Sequence, residues 1–473
     1  MTVRPPRCIT AIPRWLLIVV LVGLLPRIIV FRGAVPVLWP DSQTYLKSAE
    51  RIAYEGNFWI HEAYRTPMYP LLLSQFLTTP PDPVRAGESI ILVQQLCGIL
   101  AAVLLFLTLR RAFSGRVALW GAVAFLLWPL QLYYEVTILT EAQFVLLLSL
   151  FLWLAGRVIE AVSLNRLSSL LCVTVGLSAA VLSLSRPIGQ LLMIALWGFC
   201  LLRYGLKRRT IFGAALAVGV FVVSVFPWMK LNYDRYGFWG ISRDFGINMY
   251  HRVVDVGDTP LPLESSDTFI REVYLKAKSL GGPTYFHVFH ALKRSLSRSD
   301  TPKRLVNVTI DKRMGDFALE VLKAHPYDFI PQSIHHVWRL FVSPRPSLHF
   351  CEGADGLPFL CSNHPGEVSL RIASDPTSIG RTSKRRVLYL MRAFRVPDLI
   401  VSLLGVIGLV VSLRRSNREQ PLFLAFTIAY FVGLAAIFNT PEDRFRLPVD
   451  GILLAFAVVG AISIVEIMRR RRA

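Results

Sequence analysis

WPDSQTYLKSAERIAYEGNFWIHEAYRTPMYPLLL, Trp39 to Leu73, follows directly on the first long apolar run of the chain. It places an acid, Asp41, at the start of a helical pattern, a glycine turn at Gly56, a group of aromatics, and an Arg65-Thr-Pro-Met-Tyr-Pro70 corner. The stretch is polar and aromatic where its surroundings are apolar. A fixed polar segment beside a hydrophobic span is where chemistry is expected to sit at a membrane surface, so the spans around it decide the fold.

The chain has 473 residues, of which 53% are hydrophobic, and a mean hydropathy of +0.49. That is too apolar for a soluble protein of this size and points to an all-α polytopic membrane protein. A spanning helix needs about 20 mostly apolar residues. Ten candidate spans emerge, near 15–35, 88–109, 117–134, 141–157, 167–185, 187–204, 210–229, 396–413, 420–438 and 449–467. The first, Leu16 to Phe31, lacks a cleavage pattern and reads as a retained span. The formal charge of +21 would suggest nucleic acid in a soluble chain. Here the bases cluster in short loops and tails: Arg4/Arg7/Arg14, Arg110/Arg111/Arg116, Arg157/Arg166, Arg203/Lys207/Arg208/Arg209, Arg414/Arg415/Arg418 and Arg469 to Arg472. With ten spans all of these fall on one side, so topology explains them and no nucleic-acid partner is implied. Both termini are then expected in the cytoplasm of a plasma-membrane protein.

Three parts follow: an N-terminal transmembrane module, 1–229, with a first outer loop, 36–87; an outer, mostly helical segment, 230–395; and C-terminal transmembrane helices, 396–473. Within the outer segment Val308, Phe317, Val321 and Leu322 recur at helix-face spacing, and Pro326 suits a helix stop. Phe329 to Val342 is apolar but holds Gln332, His335, His336 and Arg339, and reads as a helix lying on the surface. Ser383 to Phe394 is basic and amphipathic, as an interfacial helix would be.

Ionisable residues gather at the outer ends of the spans: Asp41, Glu135, Glu141, Arg186, Lys230, Asp443, Arg444, Arg446 and Asp450. Arg27, beside Pro26 in the first span, could snorkel outward. Asp41 precedes a helix, Ser42 to Tyr54, whose Tyr45, Ala49, Ile52 and Ala53 share a face. An acid there caps the helix. It can also act as a general base, its ionised form favoured by the helix dipole. Pro67 and Pro70 fix the corner, which either serves only as a turn or holds Arg65 and Tyr69 beside a site. Glu141 and Arg186 each mark a helix start or turn, and either could position a substrate. Pro441 to Pro448, PEDRFRLP, packs two arginines with two acids; it is either a self-neutralised loop or a phosphate site, since arginine forks bind phosphate bidentately.

Cys351 and Cys361 flank a polar loop and could form a disulfide if the loop is outside the cytoplasm; the alternative is two free thiols. The chain carries no Walker loop, HExxH, nucleophile elbow or Cys/His zinc spacing, which disfavours an ATP-driven pump or a zinc protease.

At these residues the chain resembles GT-C membrane glycosyltransferases, in particular bacterial relatives of protein O-mannosyltransferases and aminoarabinose transferases (glycosyltransferase family 39-like). The resemblance rests on Asp41 with Tyr45 and Ala49, Gly56, Arg65 to Pro70, Thr140-Glu141, Arg186-Pro187, Pro227-Trp228, Asn232-Tyr233, Gly237, His325-Pro326 and Glu442-x-Arg444-Phe445-Arg446-x-Pro448, in family order. It implies a polyprenyl-phosphate-sugar donor, an extracytoplasmic protein, lipid or polysaccharide acceptor, and Asp41 as the matching catalytic acid. Many relatives carry two adjacent acids where this chain has Asp41-Ser42, and Arg-Tyr where it has Arg444-Phe445. No cofactor is implied with certainty, and divalent-metal dependence stays open. In such a transfer the base acts on the acceptor hydroxyl, with inversion, and Arg444, Arg446 and Lys230 are the candidate cations for the departing phosphate. A lipid-sugar flippase, and a ligase or polymerase using a diphosphate donor, are the competing readings.

Overall fold

Hydrocarbon offers a backbone no hydrogen-bond partner, so an apolar run in a bilayer must satisfy its own amides and carbonyls, and a helix does so within one segment. The computed structural model describes residues 12–31, 38, 40–58, 63–77, 83–257, 259–261, 266–279, 284–342, 351–352, 358–359, 395–414, 418–439 and 443–472. The expected spans fall on helices, except that 117–134 is divided between two, Gly115–Leu126 and Pro129–Glu135. The order is α1 (Ile12–Phe31), α2 (Pro40–Glu55), α3 (Met68–Ser74), α4 (Pro83–Ala112), α5 (Gly115–Leu126), α6 (Pro129–Glu135), α7 (Glu141–Ser163), α8 (Ser169–Ser185), α9 (Leu192–Tyr204) and α10 (Arg208–Tyr236). Then come α11 (Phe245–Tyr250), α12 (Thr268–Ser279), α13 (Thr284–Arg298), α14 (Val306–Ala324), α15 (Pro326–Val342), α16 (Arg395–Leu413), α17 (Glu419–Phe438) and α18 (Asp443–Arg472).

Among the described residues six helices, not the expected ten, are long and apolar enough to cross a membrane, and a seventh crossing results if α5 and α6, bent by 52°, form one span. The protein is therefore a multi-pass membrane protein. Helices α8 and α16 occupy expected spans but are shorter in their apolar part, Ser169–Ser185 and Asp398–Leu413. The one strand pairing among the described residues joins Cys351–Glu352 to Pro358–Phe359. Cys361, the Cys351 side chain and the helix expected over Ser383 to Phe394 lie outside the described residues.

Among the described residues the two largest apolar cores are separate. The larger joins the spans through Phe106, Phe125, Phe144, Phe151, Leu447 and Phe456. The smaller belongs to the segment after α10 and is built from Tyr250, Val253, Ile270, Val288, Leu292, Ile310, Met314 and Phe317 on α11 to α14 and the turn between them. Helix α14 ends at Ala324 and Pro326 opens α15, as the sequence expects. On α15, Tyr327, Ile330, Ile334 and Trp338 are exposed at helix-face spacing, 84% in the case of Tyr327.

Arg27 does not snorkel. It is 2% exposed, and its Nη2 donates to Glu135 Oε1 at 2.5 Å. An unpaired charge inside a membrane is costly, so a partner on a neighbouring helix wins over a reach for the surface. Gly98 on α4 leaves the space for this pair, because a Cβ there would run into the Glu135 carboxylate.

Helices α16 and α18 come together through glycine. A Cβ at Gly408 would overlap the Phe456 carbonyl, one at Gly460 would overlap the Leu404 carbonyl, and one at Gly405 would lie 2.7 Å from Leu453 Cδ1. Small residues of this kind let membrane helices approach closely. Gly408→Leu is expected to force the two helices apart and to destabilise the protein by at least about 1–3 kcal/mol. A fall in the thermal midpoint of the detergent-solubilised protein checks this; an unchanged midpoint would show that the contact does not hold α18.

Candidate active site

Helix α2 begins two residues earlier than its sequence suggests. Pro40 supplies the first helical residue, so Asp41 lies in the first turn and is not the cap. The first turn still favours an anion. Ser42 is buried and donates its hydroxyl to the Ile138 carbonyl at 2.7 Å. It anchors the helix start. The buried face of α2 is Ser42, Tyr45, Leu46, Ser48 and Ala49, while Ala53 is exposed.

The Arg65 corner folds back onto this turn. Arg65 Nη2 donates to Asp41 Oδ1 at 2.6 Å, Nε to Thr44 Oγ1 at 2.8 Å, and Nη1 to the Tyr45 hydroxyl at 3.2 Å. Its guanidinium lies 4.5 Å from the centre of the Tyr45 ring and 4.8 Å from that of Tyr64. The corner is in turn held from behind. Thr66 donates to the Ser185 carbonyl at 2.8 Å, and Gln143 to the Met68 carbonyl at 3.3 Å. Tyr69 is fully buried. Its hydroxyl donates to Gln94 Oε1 at 2.7 Å, and Gln94 Nε2 reaches the Glu135 and Thr137 carbonyls, each at 3.0 Å. Tyr69 thus supports Tyr45, which it meets edge-on at 5.1 Å.

The second cation comes from the far end of the chain. Arg444, at the start of α18, donates from Nη1 to Asp41 Oδ2 at 3.3 Å across 403 residues of sequence. Asp41 is therefore clasped on both oxygens, and its side chain is 37% exposed. Burial would raise its carboxyl, but Arg65 and Arg444 outweigh burial and hold it well below the usual carboxylate range. Glu141 and Arg186 form a separate pair at 2.9 Å. Arg186 lies over Phe144, 5.5 Å from the ring centre.

Two of the three candidate phosphate cations are engaged elsewhere. Arg446 is 1% exposed in its side chain. It donates to Asp450 Oδ1 at 2.7 Å, to both Asp398 oxygens at 3.1 and 2.7 Å, and to the Leu340 carbonyl at 2.8 Å. Asp450 also accepts from Trp128 Nε1 at 2.9 Å. Arg446 is a strut that ties α18 to α16 and α15, two residues from Arg444. Lys230 is half exposed and pairs with Asp234 one turn along α10, at 2.5 Å.

The structure adds groups that the sequence did not single out. The segment before α11 is tied to the corner by Arg243 N–H donating to the Ala63 carbonyl at 3.1 Å. This brings Asp244 within electrostatic range of Arg65, and burial, with the charge of Asp311, pushes its carboxyl up to about 6. Tyr285 at the start of α13 responds to Asp41, Arg65, Arg444 and Asp244 together. Nothing local marks these residues, because their placement depends on the packing of α11 to α14. A divalent metal does not fit the clasp: both Asp41 oxygens face guanidinium groups, and among the described residues no three His, Cys, Asp or Glu side chains converge.

Removing the strut leaves two buried acids without their cation. Arg446→Ala is expected to cost about 3–5 kcal/mol and to lower the yield of folded protein; wild-type yield and thermal midpoint would overturn the assignment. For Asp244 the folded state holds its proton longer than the unfolded chain, so stability is full below about 4, the ordinary carboxyl value, and is lost as pH rises through about 6. Thermal midpoints measured across that window should fall with rising pH in wild type relative to Asp244→Asn.

No curated protein matches the chain by sequence. Among solved structures, it is similar in fold to the Archaeoglobus fulgidus oligosaccharyltransferase AglB in complex with an inhibitory peptide and a dolichol-phosphate, at 12% identity and a TM-score of 0.54, over 98% of this chain and 51% of that one. The apo form of the oligosaccharyltransferase from the same organism gives a TM-score of 0.51 at 14% identity, over 98% of this chain and 51% of that one. The chain thus spans about half the length of these proteins. ArnT from Cupriavidus metallidurans in the apo state aligns at 15% identity with a TM-score of 0.40, over 96% of this chain and 78% of that one. Residues 65–228 match the model of the dolichyl-phosphate-mannose-protein mannosyltransferase family.

Proposed function

We propose that this protein transfers a sugar from a polyprenyl-phosphate donor to a hydroxyl of an extracytoplasmic acceptor, at the outer face of the plasma membrane, with both termini in the cytoplasm. The observation that carries the reading is the clasp of Asp41 between Arg65 and Arg444. It combines a carboxylate able to take a proton with cations able to take a phosphate, at the ends of apolar helices that suit a prenyl chain. A solved oligosaccharyltransferase of similar fold holds a dolichol-phosphate, and the family model matched by residues 65–228 is named for a dolichyl-phosphate-linked donor.

In the reaction the acceptor oxygen attacks the anomeric carbon, the bond from that carbon to the phosphate oxygen breaks, and the phosphate keeps the electron pair. The acceptor proton passes to Asp41. A single carboxylate acting on the acceptor gives direct displacement with inversion. Asp41 is a weak base while two guanidiniums hold it. Arg444 is the one to release it, because its contact of 3.3 Å is the longer and a donor phosphate offers its guanidinium a stronger partner. Arg65 stays, fixed by Thr44 and Tyr45. Arg446 and Lys230 then act at a distance from the phosphate, the first by holding the start of α18.

Asp41→Asn is expected to lower transfer about 10²–10⁴-fold, and Arg444→Ala to weaken both donor binding and turnover. The assay follows label from a lipid-linked sugar in membranes, offering monophosphate and diphosphate donors side by side. Full activity in a stably inserted Asp41→Asn protein would sink the assignment, and use of the diphosphate donor alone would favour the ligase or polymerase reading. Mass spectrometry of envelope glycans and lipids, with the gene present and absent, names the sugar and the acceptor.

A further inference from the structure

Helix α15 carries an apolar face that no described residue covers. Tyr327, Ile330, Ile334 and Trp338 are exposed, Trp338 by 61%, and their spacing of three, four and four residues aligns them in one stripe. Asp328, His335 and Arg339, at spacings of seven and four, run along one edge of it. Four large side chains in a row make a patch that a surface facing water rarely leaves open. The opposite face is occupied. His336 and Leu340 are buried, and Leu340 forms an apolar cluster with Val432 and Ala435 of α17.

Three contacts fix the depth of this helix against the spans. Arg252 donates from Nη2 to Ser333 Oγ at 3.0 Å and from Nε to the Ala436 carbonyl at 2.9 Å. The middle of α15 therefore lies level with the Phe438 end of α17. Farther along, Leu340 meets Val432, which is about 9 Å in from that end at the rise of a helix. Ser402 donates its hydroxyl to the Phe341 carbonyl at 2.9 Å, and Ser402 lies about 10 Å inside the Arg395 start of α16. Helix α15 is thus oblique. Its Pro326 end stands at the smaller core, against which Phe329 packs, and its Val342 end lies alongside the apolar parts of two neighbouring helices. On α16, Leu399, Ile400 and Leu403 around Ser402 are exposed, as side chains facing hydrocarbon are. The last turns of the α15 stripe lie at the same level as these residues.

Independently of the transfer reaction, we infer that α15 enters the lipid leaflet on the clasp side of the membrane, with its Val342 end deepest. Ile334 and Trp338 lie among phospholipid acyl chains, Ile330 at their boundary, and Tyr327 at the level of the headgroups. The edge formed by Asp328, His335 and Arg339 turns toward headgroups and water. Tyr and Trp suit this boundary because each has an apolar ring and a polar tip, and a helix apolar along one stripe and polar beside it lies stably there. The last turn of α15 also accepts the Arg446 hydrogen bond at the Leu340 carbonyl. The leaflet therefore holds the helix that braces the start of α18, and it anchors the smaller core to the membrane.

The test uses the full-length wild-type protein in phosphatidylcholine vesicles that contain a phospholipid with a diazirine in its acyl chain. After photolysis, trypsin releases Ala324 to Arg339 as one peptide that holds the whole stripe. Mass spectrometry should find lipid adducts on Ile334 and Trp338 at a yield like that of Leu399 and Leu403 on α16, falling to background at Tyr327. Hydroxyl radicals generated in the water give the complementary measurement. Tyr327 should be oxidised, and Trp338, the more reactive ring, should be protected in vesicles. A stripe free of lipid adducts while α16 is labelled would overturn the inference, and protection of Trp338 in that case would assign the face to a protein partner. Trp338 oxidised as readily as Tyr327 would overturn it as well, by placing the whole stripe in water. Transfer from the lipid-linked sugar is read in a separate assay, so neither result bears on the proposed reaction.

Discussion

The clasp on Asp41 is the interaction that the rest of the structure serves. One carboxylate receives two guanidiniums, from residue 65 and from residue 444. A surface-exposed ion pair is worth little on its own, so these contacts do not hold the fold together. The direction of dependence is the reverse. Arg65 is delivered by a corner tied to α2, α4, α7 and α8, and Arg444 by a helix tied to α15 and α16. The clasp forms because those parts are already in place.

What fixes those parts is charge pairing inside the apolar body. Arg27 with Glu135, and Arg446 with Asp398 and Asp450, are almost fully removed from solvent. Burying an ion is costly, and a buried pair stabilises little against an apolar alternative. Its worth lies in uniqueness: a helix that shifted by one turn would leave several charges without partners. Arg446 illustrates this, since its four hydrogen bonds set the rotation of α18 and therefore the side from which Arg444 projects. The glycine contacts of α16 and α18 act to the same end, bringing Asp398 close enough to be reached.

The spans were legible because hydropathy is a local property, the Asp41 turn because an acid precedes a helical pattern, and the Arg65 corner because two prolines mark it. Partner identity was not legible. Arg444 and Arg446 lie two residues apart in one motif, yet one reaches Asp41 and the other is buried among acids. No reading of PEDRFRLP separates them, because the choice is made by α16, nearly fifty residues upstream. Arg27 gave the same difficulty, since outward snorkelling and inward pairing fit one sequence equally. Tyr69 was placed correctly at the corner, but its support of Tyr45 through Gln94 depends on α4. His251 and Asp255 have the spacing of a helical pair, and only the packing of α13 brings Thr284 to them.

The clasp also resolves a tension in assigning a base to Asp41. Two guanidiniums favour its anion so strongly that proton uptake is unfavourable, and the helix start adds to this. A stronger base would have to shed a cation at the moment of reaction. The two contacts are unequal in the right sense. Arg65 is bound by Thr44 and Tyr45 as well as Asp41, at 2.6 Å, whereas Arg444 meets Asp41 at 3.3 Å from the end of a helix. On the proposed function, the donor phosphate draws Arg444 away and thereby raises the proton affinity of Asp41. The acid becomes a base only when there is a phosphate to leave, which limits premature proton uptake and couples acceptor activation to donor occupancy.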